Sequence, residues 1–354
     1  MMTVGGGSSS LKAAYEITPL QGLKNRFGKD FDIVFERGYV GDTLGEYNGV
    51  KTNQDLRDFR TAAELTEAAV NAAKDADIVL FFGGLNKANH NDAEDSDRLS
   101  MDLPYGQNEL IEALVKANKN TVVVNISGTG VAMPWANKVP AILQAWYLGN
   151  ETGNAIADVL SGDVNPSGKL PYTYYADLMQ CGAHKLGEYP GTPAKDKFGN
   201  DIFDMPYNEG IYVGYRFIDK NKLKPTFPFG HGLSYTTFKY GNATIDKTRG
   251  SKDDKFIVSI PVTNTGKRAG NEIVELYISD PKSSVDRPVK ELKGFSKVAL
   301  APGETKTVTF EIDKPALSFF DADKHEWICE PGDFEVLIGA SSADIRSKVK
   351  FTVE

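Results

Sequence analysis

Over its first half the chain alternates between short unbroken apolar runs and longer segments where apolar residues return every three or four positions. DIVLFFGG (77–84), TVVVNISG (121–128) and AILQAWY (141–147) are the unbroken runs, a pattern that suits strands covered on both faces. FDIVFERG (31–38) predicts one strand more. Between them, TAAELTEAAVNAAKDA sets Ala62, Leu65, Ala69 and Ala72 on one helical face, and QNELIEALVKAN and ETGNAIADVLSG read as two further helices. An earlier helix is announced by Thr18 as cap, Pro19 at the first helical position and Gln21 placed to close a capping box, with Leu20, Leu23 and Phe27 at helical spacing until Gly28. Strand and helix in alternation predict an α/β sandwich with a mainly parallel sheet, flavodoxin-like in its layers, over residues 1–182.

From about residue 255 the period changes to two. FIVSIPVTNTG, EIVELYISD, KTVTFEID, GDFEVLIGA and KVKFTVE alternate apolar and polar positions and are separated by turn signals such as Pro302-Gly303 and Pro331-Gly332. Residues 241–354 therefore read as an all-β sandwich, closer to a fibronectin type III-like domain than to an immunoglobulin domain because the Cys-Trp-Cys spacing is missing. Residues 183–240 mix glycine, proline and lysine with many Tyr and Phe and show no period. They read as a connector that hugs the surface, since aromatics carry too much apolar area to leave in water.

Composition narrows the function. A length of 354 residues suits two folded units, and the net charge of −8 supplies no basic stripe for a nucleic-acid partner. Cys181 and Cys329 are too few for a disulfide framework, and none of His90, His184, His231 and His325 sits at metal-ligand spacing to another, so neither a metal nor a cofactor is expected. No run of about 18 apolar residues predicts a membrane span. The glycine stretch Gly5 to Ser10 has no Gly-Lys-Ser/Thr ending, no strand before it and no helix directly after; a tight structural loop is expected there, and Ser8, Ser9 and Ser10 lack the frame of a nucleophile. His231, flanked by glycines and aromatics, is expected to pack or cap a turn.

The densest chemistry lies in NDAEDSDR (91–98), four carboxylates and one arginine directly after the DIVLFFGG run. Calcium ligation is disfavoured: a hand starting at Asp92 has Asp97 where glycine belongs and Leu103 where a bidentate glutamate belongs. A solvated acidic turn is the plain alternative. Position argues for chemistry, because loops at the carboxyl ends of parallel strands are where α/β folds place their sites. As a general acid, Glu94 would feel Asp92, Asp95 and Asp97 raising its pKa and Arg98 lowering it.

Residues 84–114, 139–174, 207–217 (YNEGIYVGYRF) and 227–238 (FPFGHGLSYTTF) together resemble, in order and spacing, the carboxyl-terminal part of glycoside hydrolase family 3, the β-glucosidases and their relatives. The resemblance implies an α/β sandwich followed by a fibronectin type III-like domain. It also implies retaining hydrolysis of terminal β-linked sugars, with an aspartate nucleophile on a TIM barrel and a glutamate acid/base on a loop of the sandwich. The Glu-Gly-x-Asp-Arg pattern of that loop falls on Glu94, Asp97 and Arg98, with Asp95 in place of the glycine. Glu94 is thus the expected acid/base, Asp92 the second choice, and Asp97 and Arg98 the loop's support.

A retaining glycosidase needs two carboxyls about 5–5.5 Å apart, and nothing here resembles the roughly 250-residue barrel that carries the nucleophile. No nucleophile is therefore expected in this chain, and the first strand of the sandwich is expected to be missing. The chain is expected to be the acid/base half of a β-glucosidase-like hydrolase, inactive until a barrel is supplied in cis or trans, with a β-linked oligosaccharide or glycoside as substrate. A non-catalytic carbohydrate-binding or structural module is the alternative, and a flavodoxin-like binding protein a weaker one. The compartment stays open, since relatives are cytoplasmic, periplasmic or secreted.

Overall fold

The computed structural model describes residues 6–9, 13–41, 46–47, 50–51, 58–88, 90–94 and 97–354. The chain divides into two compact units, Met1–Val164 and Asn165–Glu354. Asp95, Ser96, Gly5 and Ser10 lie outside the described residues.

In the first unit the apolar runs become strands β1 (Val79–Gly84), β2 (Thr121–Ile126) and β3 (Ala141–Gln144), hydrogen-bonded in chain order as a parallel sheet. Helices α1 (Pro19–Phe27), α2 (Ala62–Lys74), α3 (Gln107–Ala117) and α4 (Thr152–Ser161) accompany it. Parallel neighbours need a crossover, and α3 supplies the one between β1 and β2. On β2, Val124 and Ile126 pack with Ile156 of α4, while Val123, its side chain on the opposite face, is equally buried. This double coverage is what an unbroken apolar run reports.

Local chemistry sets the helix ends. Thr18 caps α1 by accepting from Gln21 N–H at 3.2 Å, but Gln21 donates to Asn25 Oδ1 at 2.7 Å instead of reaching back to the cap, so the expected box does not close there. It closes on α2, between Thr61 and Glu64. The buried face of α2 carries Leu65, Ala69 and Ala73, one position from the expected Ala72, and Ala62 is exposed. Helices α1 and α4 meet backbone to backbone: a Cβ on Gly22 would lie 2.0 Å from Gly153 O, and one on Gly153 would lie 2.0 Å from Thr18 O.

FDIVFERG does not form a strand. Residues 33–41 run without ladder partners, and Phe31, Val34 and Phe35 are exposed. An apolar run gives a segment something to bury, but a strand also needs a neighbour to pair with, and among the described residues the sheet ends at β1.

The second unit is built from β4 (Phe238–Tyr240), β5 (Phe256–Asn264), β6 (Gly270–Ser279), β7 (Glu291–Leu300), β8 (Thr305–Ile312), β9 (Gly332–Ser341) and β10 (Asp344–Val353). One sheet runs β10-β9-β6-β7, with Arg249–Gly250 added beside β10; the other runs β8-β5-β4. Their inner faces share one core in which Phe256, Val258, Ile260 and Val262 of β5 are fully buried at alternate positions. Strand β7 had no clear signal in the sequence, because lysines, a glycine and the exposed Phe295 break its alternation.

Residues of the connector are tied into this unit by polar contacts of their aromatics. Helix α5 (Tyr215–Asn221) sits against β7, where Tyr215 OH accepts from Leu292 N–H at 2.9 Å and Arg216 pairs with Glu291 at 3.2 Å. Tyr212 OH donates to Asp286. Phe198, Phe203 and Tyr207 nevertheless remain exposed, so the argument from apolar area covers only part of this stretch.

Candidate functional site

In a parallel sheet all strands end on one edge, and here the chain leaves that edge at Leu85 after β1, at Ser127 after β2 and at Ala145 after β3. The first exit is fixed by backbone conformation. Gly84 has φ +137°, and a Cβ there would lie 1.9 Å from Ile126 O. Its N–H donates to Gln107 Oε1 at 2.8 Å, while Gln107 Nε2 donates to Gly84 O and to Pro104 O, each at 2.9 Å. Gln107 is fully buried at the start of α3, so one side chain clamps the end of β1 and the approach to the next helix.

The loop that follows folds on itself through Asn86. Asn86 O accepts from Asp92 N–H at 2.8 Å, Asn86 Oδ1 accepts from Ala88 N–H at 2.9 Å, and its amide donates to Tyr105 OH at 3.1 Å. This delivers Asp92 to the sheet edge. One oxygen of Asp92 accepts from Gly128 N–H at 2.6 Å and from Tyr147 OH at 2.7 Å; the other accepts from the Thr129 hydroxyl. A single carboxylate thereby joins the loops after all three strands. Burial and the Asp92 charge push the Tyr147 phenol above its ordinary pKa, so it stays a donor.

Glu94 is exposed and points elsewhere. Its Oε2 accepts from both the backbone N–H and the hydroxyl of Ser8, on the turn Gly7–Ser9. The turn fits because Gly7 has no side chain: it has φ +85°, and a Cβ on it would lie 2.1 Å from Glu94 Cβ. Gly6 N–H donates to Asp92 O at 2.8 Å, and a Cβ on Gly6 would meet Lys87 O and Ala93. The two Ser8 donors hold the Glu94 carboxyl below the usual glutamate range. Neither the neighbouring aspartates nor Arg98 sets the direction.

Arg98 is half-buried and donates to Gly130 O in the loop after β2. Asp97 is exposed; its carbonyl oxygen lies 2.9 Å from His90 Nδ1, and His90 adopts φ +61°. The structure thus brings Asp92 and Arg98 to the same sheet edge and leaves Glu94 on the lip of the loop. Among the described residues no group of three or more His, Cys, Asp or Glu is arranged to hold a metal ion, and no helix is long and apolar enough to cross a membrane.

Sequence reasoning read the stretch holding Gly7 and Ser8 as a tight structural loop without joining it to Glu94, and it overlooked Thr129, Tyr147 and Gln107. The glycine turn did carry a signal, since such turns accept anions; its anion is a carboxylate of the same chain. Gln107 and Tyr147 carried no signal of their own.

Residues 1–235 match the Glycosyl hydrolase family 3 C-terminal domain, and residues 272–342 match the Fibronectin type III-like domain. The chain belongs to glycosyl hydrolase family 3 and corresponds to the carboxyl-terminal part of its β-glucosidase-like members. It is 47% identical over 352 residues to a β-glucosidase of Bacteroides ovatus, covering 99% of this chain and 45% of the relative. Among solved structures, a family 3 β-glucosidase of Bifidobacterium adolescentis aligns with TM-score 0.83 at 34% identity, over 98% of this chain and 47% of that one. The β-glucosidase of Kluyveromyces marxianus in complex with glucose aligns with TM-score 0.74 at 44% identity, over 84% of this chain and 34% of that one. The chain therefore spans less than half the length of these relatives.

Proposed function

We propose that this chain supplies the acid/base loop of a retaining β-glycosidase that acts on terminal β-linked sugars, the nucleophile coming from a barrel joined in cis or trans. The observation that carries this reading is the division of labour in the acidic loop. Asp92 is consumed by three donors, whereas Glu94 stands exposed on the lip, its carboxylate attached, among the described residues, only to a surface turn. Of the two, Glu94 alone is free to reach a substrate. It would protonate the leaving oxygen in the first half of the reaction and deprotonate water in the second. Arg98, through Gly130, and Asp97 support the loop. The relatives' names speak of β-glucosides; glucose is accordingly the first sugar to test.

A second reading, a non-catalytic module, draws on the Ser8 bonds, which are equally those of a structural tie. The separating experiment joins the chain to the part of the Bacteroides ovatus relative that it does not span. The isolated chain should match a buffer blank on nitrophenyl β-glucoside and the joined protein should turn it over. Glu94→Gln should then cripple hydrolysis of substrates with poor leaving groups, spare the glycosylation step with activated aryl glycosides, and make deglycosylation the slow step for these, partly rescued by azide, which attacks the intermediate without a base. Equal loss on every substrate without rescue would leave the non-catalytic reading standing.

A further inference from the structure

We propose that Ser8 is a positioning residue for Glu94: the Gly6-Gly7-Ser8 turn is a cradle that docks the glutamate as its carboxylate and sets how readily it takes a proton. The catalytic consequence rests on the role proposed for Glu94 above; the cradle itself does not. Two independent features support it. The first is donor geometry, with one carboxylate oxygen receiving both the N–H and the hydroxyl of the same residue. The second is steric, because Gly7 and Gly6 leave room for Glu94 and Ala93 where any Cβ would collide with them. A merely solvated acidic turn has no reason to be fitted this closely to a segment 86 positions away in the chain.

Docking favours one protonation state. Both donors present hydrogens to Oε2, so a proton is taken up on Oε1 and leaves Oε2 an uncharged, weaker acceptor for them. The dock therefore favours the base, and Glu94 takes a proton less readily docked than free. This agrees with the downward direction in which Ser8 moves the carboxyl. A residue that must serve as acid in one half-reaction and base in the other is then poised by its dock and not only by its catalytic surroundings.

The test is a carboxyl-carbon NMR titration of the chain itself, with the Glu94 signal assigned by its loss in Glu94→Gln. In the wild-type chain the Glu94 midpoint should lie below the ordinary glutamate value. Ser8→Ala, which removes the hydroxyl, should shift it upward, and Ser8→Thr should return it. Should Ser8→Ala fail to fold by its amide spectrum, Gly7→Ala decides: its methyl would expel Glu94 with the Ser8 hydroxyl intact, and the midpoint should again rise. A Glu94 midpoint that stays in place in the deciding variant overturns the proposal. In the joined enzyme, Ser8→Ala should also move the alkaline limb of kcat/KM upward, with Ser8→Thr restoring it. Titration shifts without any turnover in the joined enzyme would sustain the cradle and count against the glycosidase reading alone.

Discussion

Asp92 and Glu94 are two residues apart, yet their carboxylates are held by different parts of the unit: Asp92 by Gly128, Thr129 and Tyr147 at the sheet edge, Glu94 by Ser8 on a surface turn. Replacing one should therefore not imitate replacing the other. Asp92→Asn replaces the charged acceptor of three donors with an amide, so the Thr129 hydroxyl must turn to accept and the bonds from Gly128 and Tyr147 lose their charge, at a cost of about 1–3 kcal/mol. The expected result is lower stability together with an equal fall in turnover on good and poor leaving groups in the joined enzyme. A leaving-group-dependent defect in Asp92→Asn would move the acid/base role to Asp92.

The exit of β1 should tolerate no side chain. In Gly84→Ala the methyl carbon would lie 1.9 Å from Ile126 O, on a backbone at φ +137°. Strain of this kind costs about 1–3 kcal/mol, and the overpacking costs a similar amount. Thermal unfolding should report a drop in Tm, and backbone amide shifts should change at Asp92 as well as at Gly84. An unperturbed Asp92 signal would show that the clamp does not position the loop.

These two sites also show what a sequence can and cannot disclose. Strand β5 was legible because Phe256, Val258, Ile260 and Val262 face one core, and the helices on either side of β2 were legible from their apolar spacing. Such patterns report burial, which is a local consequence of the fold. FDIVFERG is as apolar at its centre, Ile33 to Phe35, as the runs that became strands, but pairing depends on a neighbour that the segment does not encode. The loop carrying Glu94 was located by its place after a strand, with the family resemblance choosing the residue. Its partners were not legible: Gly128, Thr129 and Tyr147 lie 36, 37 and 55 positions from Asp92. Nothing local in sequence marks a tyrosine that will meet a carboxylate across a sheet edge.

The contact of α1 with α4 gives a coupling prediction. Gly22 and Gly153 each leave space for the other helix's backbone, so Gly22→Ala or Gly153→Ala alone should force the helices apart and cost about 1–3 kcal/mol. Once they are displaced, the second methyl meets less resistance. The double variant should therefore lose clearly less than the sum of the singles in a urea denaturation cycle. Strict additivity would mean that each methyl is accommodated separately, without movement of the helices.

His231 should make the stability of the second unit depend on pH near neutrality. Its ring is stacked on Phe227, with centroids 5.1 Å apart, and burial pushes its pKa below 6.5, aided by the charge of Lys169 and opposed by Asp344. A folded state that binds the proton less readily than the unfolded chain is stabilised above the ordinary histidine pKa. That contribution is lost as pH falls from about 6.5 through the lowered folded value. The urea midpoint read from β5 amide signals should thus decline between about pH 7 and pH 5.5. His231→Phe keeps an aromatic face against Phe227 but cannot titrate, so its decline over that window should be shallower. His184, also pushed down by burial, should supply the remaining slope. A His231→Phe curve parallel to the wild type across the window would show that the ring takes up its proton as easily folded as unfolded.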